Sequence, residues 1–394
     1  MLPFNYLNKT RYVFGEGEHK NIGTLLKPYT NRVLLHYGSG SVKRTGVYYA
    51  VTESLKAAGI DFVELGGVKA NPSVELVRKG VELCRAEGIG FILAVGGGSV
   101  IDSAKGIALG VTHAGDVWNL YTKTEKPYAE PLPVACILTL PAAGSENSPN
   151  TVLTNEATGR KLGYRGGDNM RPVLSVVDPT LFLSLPPMQM SYGACDMLCH
   201  IFERYFTNTP DTDLSDELSE ATMRTILKQA GILRRDPNNV KAWGQLALAG
   251  TIAHNDLLGV GRAQSWACHA LEHELSAVYD VPHGGGLAVL VPAYMEKVYP
   301  HNPGIFQQWA VNVMGVTPHR DTDAVIREGI RRLRFWYSEL GLPQTMKELG
   351  IPHNADFEAM AEAACHVHGG DTLPGVHPIG TEDAYAIYNA CNPL

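Results

Sequence analysis

The stretch that decides the fold spans residues 90–99 and reads GFILAVGGGS. Residues 90–95 form a short apolar run of the kind that makes a buried strand, and three consecutive glycines follow it directly. Glycine permits the tight turn that leads from a strand into a helix. The stretch therefore predicts the strand, turn and helix start that make up one unit of a parallel α/β sheet.

Similar apolar runs on both sides extend this sheet. Further strands are predicted at 32–37, 61–65, 133–138 and 174–177, with helical patterns at 45–58 and 73–86. Alternating strands and helices indicate βαβ units. The prolines after Leu185 interrupt the pattern, and from there on it is almost entirely helical. Helices are predicted at 188–206, 213–232, 239–257, 263–278, 285–298, 322–340 and 355–364.

The chain has 394 residues, which is more than a single core usually accommodates. We expect an α/β, Rossmann-like dinucleotide-binding domain over residues 1–186. An all-α metal-binding and catalytic domain is expected over residues 187–394.

The bulk composition excludes several classes of protein. A net charge of −7 argues against general binding to nucleic acid or to an anionic membrane, and no apolar run is long enough to span a bilayer. The N-terminus lacks the pattern of a signal peptide. Seven scattered cysteines are typical of reduced thiols and not of a disulfide framework, so we expect a cytoplasmic protein.

Two glycine-rich turns are candidate nucleotide-binding loops. In the turn at 96–99, glycines would let backbone N–H groups approach a phosphate at a helix N-terminus, although a tight turn with a capping serine is also possible. The turn at 38–41, GSGS, follows the first predicted strand, and Lys43 and Arg44 come soon after it. These residues suit the 2′-phosphate of NADP better than a free ribose hydroxyl; a solvated loop is the alternative.

The helical half contains a pattern of candidate metal ligands. Asp196 and His200 are four residues apart and so lie on one helical face, and His269 and His273 repeat this spacing before His283. A carboxylate and several imidazoles among apolar residues are suitable for Zn²⁺ or Fe²⁺. Each piece alone could equally be a surface ion pair or a hydrogen-bonded core histidine.

The same residues allow two other interpretations. Residues 269–273 match H-x-x-E-H, a zinc-protease helix whose glutamate would be a general base, but that chemistry needs no nucleotide-type N-terminal half. Cys195, Cys199 and Cys268 could supply thiolates, although the spacing favours packing roles.

Taken together, these motifs resemble the iron-containing (group III) alcohol dehydrogenase family over essentially the whole chain, in the branch of butanol dehydrogenases and aldehyde reductases. The resemblance rests on Gly96-Gly-Gly-Ser99-x-x-Asp102-x-x-Lys105, the stretch from Thr139 to Glu146, and the two histidine-bearing helices. It implies an NAD(P)-linked alcohol dehydrogenase or aldehyde reductase acting on short- to medium-chain aldehydes and primary alcohols.

The resemblance also implies a role for individual residues. His273 would lie near the nicotinamide and handle protons, and Gly38, where NAD-specific relatives carry an aspartate, favours NADPH over NADH. The implied metal ligands, for Fe²⁺ or Zn²⁺, are Asp196, His200, His269 and His283. The implied cofactor-binding residues are Gly38, Gly97, Gly98, Ser99, Asp102, Thr139, Ser145 and Lys161, and the turn at 38–41 adds Ser39 and Ser41 as candidates.

We expect the nicotinamide to face the metal in a cleft between the two halves, and we expect a homodimer. A polyol or hydroxyaldehyde dehydrogenase of the same fold is an alternative. A phosphate-eliminating relative of the dehydroquinate synthase type and a non-catalytic metal or nucleotide sensor are further ones. His366 and His368 receive no role.

Overall fold

The computed structural model describes residues 1–366 and 370–392. The chain divides into two compact units. The α/β unit comprises Leu7–Leu185 and Asn238–Thr251, and the helical unit comprises Met1–Tyr6, Pro186–Pro237 and the chain from Ile252 on. The first six residues thus belong with the helical unit, and residues 238–251 belong with the α/β unit, although the sequence placed each in the other.

The α/β unit is built on a six-stranded sheet with the order β1-β8-β5-β4-β2-β3, in which every pair of neighbours is parallel. A separate antiparallel hairpin joins β6 and β7. The strands are β1 (Arg11–Phe14), β2 (Arg32–Gly38), β3 (Asp61–Val68), β4 (Ile92–Gly97), β5 (Val134–Leu140), β6 (Asn150–Asn155), β7 (Arg160–Arg165) and β8 (Leu174–Val177).

The central strands are buried on both faces, as expected for a parallel sheet covered by helices. Along β4 every residue from Ile92 to Gly96 is buried, and β2 is buried over its five inner residues. The helices of this unit are α1 (Ile22–Leu26), α2 (Ser41–Arg44), α3 (Val47–Ala57), α4 (Val74–Glu87), α5 (Gly98–Thr112) and α6 (Trp118–Tyr121).

The strand order creates a switch point between β2 and β4. The chain proceeds from β2 to β3 on one side and returns to add β4 on the other side. In open α/β sheets, ligands bind at the carboxyl ends of the two strands that flank such a point. The residues at these ends are Gly38 and Gly97, and the pairing of each strand shifts register just there.

The helical unit contains the long helices that carry the candidate ligands. Most of α9 belongs to the α/β unit, where Trp243 packs against Phe182. The helices of the chain from residue 187 on are α7 (Pro187–Tyr205), α8 (Asp213–Arg235), α9 (Val240–His254), α10 (Ala267–Tyr279), α11 (His283–Val298), α12 (Pro303–Asn312), α13 (Thr322–Glu339), α14 (Phe357–His366) and α15 (Thr381–Ala390). The sequence predicted neither α12 nor α15, nor the β6–β7 hairpin.

Among the described residues, no helix combines the length and the apolar character that a membrane crossing requires. All seven cysteines are free thiols with buried side chains.

Candidate functional site

Three helices of the helical unit bring the four predicted metal ligands together. Asp196 and His200 lie on α7, His269 lies in the first turn of α10, and His283 is the first residue of α11. The Asp196 Oδ1 is 3.5 Å from the His200 Nε2, 3.5 Å from the His269 Nε2 and 3.7 Å from the His283 Nε2. The i, i+4 spacing on α7 thus has the predicted geometric consequence.

Two polar atoms of this cluster lack ordinary partners. The Asp196 Oδ1 and the His269 Nε2 are buried, and neither has a hydrogen-bond partner among the described residues. An unsatisfied buried polar atom costs about 1–3 kcal/mol, so such a pair of atoms needs an explanation. A divalent ion explains it, because ligand atoms about 2.0–2.2 Å from one tetrahedral ion are about 3.4 Å apart. The three separations from the Asp196 Oδ1 are close to that value, and Asp196, His200 and His269 offer ligand atoms within 4.8 Å of one another. The residues present therefore fit the predicted metal.

Two buried glutamates contact the outer nitrogens of two of these histidines. Glu203 contacts the His269 Nδ1 through its Oε2, while its Oε1 accepts the backbone N–H groups of Cys268 at 2.6 Å and His269 at 3.3 Å. Glu272 contacts the His283 Nδ1 and accepts the hydroxyl hydrogen of Ser276. Sequence reasoning missed both roles; the one available signal was an acidic residue on an apolar helix face.

The electrostatics of the cluster differ between its histidines. Burial lowers the pKa of His269, but Glu203 and Asp196 outweigh burial and raise it to about 9. The pKa of His200 lies well below its ordinary value because of burial and of the neighbouring His254 and His269. Ring centroids of His200 and His269 are 4.8 Å apart in a stacked arrangement.

His273 lies beside the cluster without joining the group around Asp196. Its ring centroid is 5.7 Å from that of His283 and 6.4 Å from that of His269, and its side chain is half-buried. Glu272, the would-be general base of H-x-x-E-H, has a fully buried side chain that is bonded to His283 and Ser276. That position is unsuitable for activating a water, which argues against the protease interpretation.

The three cysteines near the cluster are buried thiols. The Cys199 Sγ lies 3.8 Å from the His269 Nδ1, the nitrogen that faces Glu203. Burial raises the pKa of Cys195, Cys199 and Cys268 above the ordinary thiol value. Neutral thiols are poor metal ligands, so the arrangement agrees with the packing role that their spacing indicated.

In the α/β unit, both glycine-rich loops lie at the carboxyl edge of the sheet. Gly38 ends β2, Gly97 ends β4, and the half-buried Thr139 is near the end of β5, which pairs with β4. Gly98 begins α5, and Gly97, its N-cap, provides no capping side chain. A Cβ on Gly98 would lie 2.9 Å from the Ala143 Cβ, so close packing alone also requires a glycine there.

Other predicted cofactor residues have a structural partner. The Ser99 hydroxyl contacts the carbonyl of Ala70. The Ser145 hydroxyl donates to the Asp102 Oδ1 at 2.5 Å, and the Asp102 Oδ2 accepts the backbone N–H of Val152 at 2.9 Å. These bonds tie the loop after β5 to α5.

Lys105 completes this network. Its buried ammonium donates to the Ser145 hydroxyl and to the carbonyls of Ser145, Ser148 and Asn150, at 2.7–2.9 Å. Burial lowers the pKa of Lys105 to about 8. Lys161, on β7, is also buried, and its charge acts on Asp102. Burial raises the pKa of Asp102 above its ordinary value, although the charges of Lys105 and Lys161 act to lower it. The Asp102-x-x-Lys105 part of the motif thus has a structural role in holding this edge together.

The first loop presents fewer charges than the sequence indicated. Lys43 lies 3.5 Å from the Glu64 Oε2 and stands over the rings of Tyr37 and Tyr48. Ser39, Ser41 and Arg44 are exposed.

The histidines without a predicted role remain unassigned. His366, at the end of α14, is half-exposed and lies 3.5 Å from the exposed Asp371. His368 lies outside the described residues.

The chain is similar to known proteins over nearly its whole length. Residues 9–179 match the family described as iron-containing alcohol dehydrogenase, and residues 190–391 match its C-terminal part. The chain is 40% identical to NADH-dependent butanol dehydrogenase A of Clostridium acetobutylicum, over 98% of this chain and 99% of that protein. It is 33% identical to the NADPH-dependent aldehyde reductase YqhD of Escherichia coli, over 99% and 100%. The crystal structure of NADH-dependent butanol dehydrogenase A from Thermotoga maritima superposes with a TM-score of 0.95 at 36% identity, covering 100% of this chain and 99% of that one.

Proposed function

Because the chain belongs to the iron-containing alcohol dehydrogenase family, we propose that it interconverts short- to medium-chain aldehydes and primary alcohols at a metal held by Asp196, His200, His269 and His283. The family makes it an oxidoreductase that uses a metal and a nicotinamide cofactor. The observation that carries the proposal is the convergence of three imidazole nitrogens on one buried carboxylate oxygen.

Each component of the proposed site has a different chemical role. When bound, the divalent ion supplies Lewis acidity toward the carbonyl or alcohol oxygen, and the nicotinamide supplies or accepts hydride. Asp196 contributes the one negative charge among the four ligands, so a divalent ion held there would keep a net charge of about +1 and would favour an anionic oxygen. The proposed role of His273, which is half-buried beside His283, is to pass a proton toward solvent.

Metal and activity should be lost together when a ligand is removed. Asp196→Ala and His269→Ala should abolish tight binding of Fe²⁺ or Zn²⁺ and reduce aldehyde reduction to background. His273→Ala should keep the metal but slow turnover and alter its pH profile. Metal content by mass spectrometry and NAD(P)H oxidation with butyraldehyde check both. Full activity of Asp196→Ala in metal-free buffer would refute the site, and metal loss in His273→Ala would reassign that residue as a ligand.

For the cofactor we propose NADPH over NADH. Gly38 places no carboxylate at the end of β2, and the exposed Ser39, Ser41 and Arg44 can accept a 2′-phosphate. Lys43 contributes less than its position suggested because Glu64 already pairs with it. Both butanol dehydrogenases named above are NADH-dependent and YqhD is NADPH-dependent, so the proposal rests on the residues of this loop and not on the relatives.

A single substitution tests the proposed basis of this preference. A Cβ at Gly38 would meet nothing nearer than 3.6 Å, so Gly38→Asp fits the backbone. We expect its carboxylate to repel the 2′-phosphate and lower kcat/KM for NADPH by about tenfold or more, about 1.4 kcal/mol, while NADH use is retained or improved. Steady-state kinetics with both cofactors decide, and an unchanged ratio would place the 2′-phosphate elsewhere.

The substrate class and the assembly are tested separately. A panel of linear aldehydes, alcohols and polyols after defined metal loading should show higher kcat/KM for the unsubstituted chains; the reverse order would favour the polyol alternative. We further propose a homodimer, because β1 lies next to β8 at an edge of the sheet and, among the described residues, has no strand on its other side. Light scattering gives the mass, and a monomer at working concentration would exclude it.

A further inference from the structure

We propose that Glu203 and Glu272 are positioning residues that fix the tautomers of two metal-binding histidines, and that only Glu203 must be a carboxylate. The inference rests on the proposed metal site and adds to it the two side chains that keep His269 and His283 in the tautomer that can bind a metal. A histidine can offer Nε2 to a metal only when its remaining proton sits on Nδ1. The partner of Nδ1 therefore decides whether the ligand is ready.

Glu203 meets this requirement for His269. Its side chain is 2% exposed, and its two oxygens face three N–H groups: the His269 Nδ1 and the backbone amides of Cys268 and His269. A carboxylate has no hydrogen to give, so all three groups must donate to it. This holds the proton on Nδ1 and leaves Nε2 directed at Asp196, 3.5 Å from its Oδ1.

Glu272 does the same for His283 with a different second partner. Its Oε2 contacts the His283 Nδ1, and its Oε1 faces the hydroxyl of Ser276. A hydroxyl can donate or accept, whereas a backbone amide can only donate. Ser276 also has a second acceptor, the carbonyl of Val281 at 3.2 Å, to which its hydrogen can turn.

This difference predicts opposite results for the same substitution. In Glu203→Gln the amide oxygen must face the two backbone N–H groups, so the NH₂ group faces the His269 Nδ1. That nitrogen must then accept, which moves the ring proton to Nε2 and blocks coordination. In Glu272→Gln the amide oxygen can stay on His283 while the NH₂ group donates to Ser276, so the tautomer is retained.

The experiment compares metal affinity and the ligand field of the metal. Zn²⁺ dissociation constants are measured by chelator competition, and the visible absorption of the Co²⁺-loaded protein is recorded, for wild type, Glu203→Gln and Glu272→Gln. Glu220→Gln is the matched control, because Glu220 is equally buried in α8 but accepts from Tyr205, Gln308 and Asn312. We expect a 10–100-fold loss of affinity and an altered Co²⁺ spectrum in Glu203→Gln alone.

The outcomes separate this inference from the proposed function. A wild-type protein that binds no metal would remove the proposed site itself. Wild-type affinity in Glu203→Gln, or equal losses in both glutamine variants, would overturn the tautomer argument while leaving the site intact. If Glu203→Gln does not fold, ring ¹⁵N shifts of the metal-free wild type, recorded at a pH where both rings are neutral, take its place. Protonated Nδ1 in His269 and His283 is expected, and a protonated Nε2 in His269 would refute the proposal.

Discussion

His36 shows how one buried side chain sets a pH limit on the α/β unit. It lies on β2 with its side chain fully buried, 2.8 Å from the Leu65 carbonyl through Nδ1 and 2.8 Å from the Ser103 hydroxyl through Nε2. A carbonyl only accepts, so Nδ1 carries the proton, and the neutral ring then accepts from Ser103. Burial lowers the pKa of His36 to about 4.

The stability of the protein should therefore fall as the pH drops from about 6.5 to 4. In that interval the unfolded chain protonates His36 at its ordinary pKa near 6.5, whereas the folded chain keeps it neutral, so the unfolded state binds more protons. The contribution is complete above pH 6.5, and up to about 3 kcal/mol is lost by pH 4. Urea unfolding at pH 7 and pH 4.5 should show a smaller acid loss in His36→Gln than in wild type.

The exposed His353 provides the control for this measurement. His353→Gln should lose as much stability in acid as wild type. If His36→Gln is equally acid-sensitive, other groups govern the acid limit of the α/β unit.

Among the helices, the contact of α7 with α11 sets the position of His283. Gly284 follows His283 in the first turn of α11, and a Cβ there would lie 2.2 Å from the Tyr192 carbonyl oxygen on α7. That atom is backbone and cannot turn aside. The close approach of the two helices, which brings His283 to Asp196, is thus possible only because residue 284 is a glycine.

Gly284→Ala should force α11 away from α7. We expect a loss of about 1–3 kcal/mol in unfolding free energy together with weaker metal binding. Gly285→Ala is the matched control, since its Cβ would meet side-chain atoms only: the Leu349 Cδ1 at 3.0 Å, the Tyr192 Cε1 at 3.2 Å and the Pro343 Cγ at 3.6 Å. Denaturant unfolding and chelator competition measure both quantities, and equal effects of the two substitutions would show that the clash is not what matters.

At the scale of elements, the sequence predicted the strands and helices that have a regular pattern of apolar residues. Continuous apolar runs ending in glycine correctly located β2, β4 and their neighbours, and the predicted fold class and family are confirmed. The β6–β7 hairpin was missed because its strands mix polar and apolar residues without a clear alternation. The sequence also gives no sign that α9 packs mostly in the α/β unit, since helical periodicity does not name the partner of the apolar face.

Local spacing predicted a site made of one carboxylate and several imidazoles, and the choice of four ligands among them came from the family resemblance. The structure brings together Asp196, His200, His269 and His283, although their role as ligands stays a prediction until a metal is bound. Glu203 and Glu272 could not be found this way. Their function depends on contacts with His269 and His283, 66 and 11 residues away in the chain, and Glu272 instead matched an unrelated protease motif.

At the level of the whole molecule, the four candidate ligands come from one unit. They tie together α7, α10 and α11, all within the helical unit. A metal that binds only the folded state raises stability by mass action, by about 2.7 kcal/mol when the free ion is at 100 times its dissociation constant.

Removing the metal should therefore lower the unfolding temperature. Calorimetry of the EDTA-treated and Zn²⁺-reloaded protein should show an upward shift on reloading, and hydrogen exchange should show slower exchange in α7, α10 and α11. Asp196→Ala supplies the comparison, because it should show neither effect. A shift of equal size in that variant would mean that Zn²⁺ stabilises the protein somewhere else.

Because all seven cysteines are buried free thiols, their reaction with a reagent can measure how often each part of the protein opens. Cys84 and Cys136 lie in the α/β unit and the other five lie in the helical unit, so an alkylating reagent can reach each thiol only when its surroundings open. Mass spectrometry of peptides alkylated for increasing times would time the opening of the two units separately, in one sample and without any engineered label. Cys195, Cys199 and Cys268 are the chain neighbours of Asp196, His200 and His269, so their labelling rates would also report how often that part of the chain admits solvent.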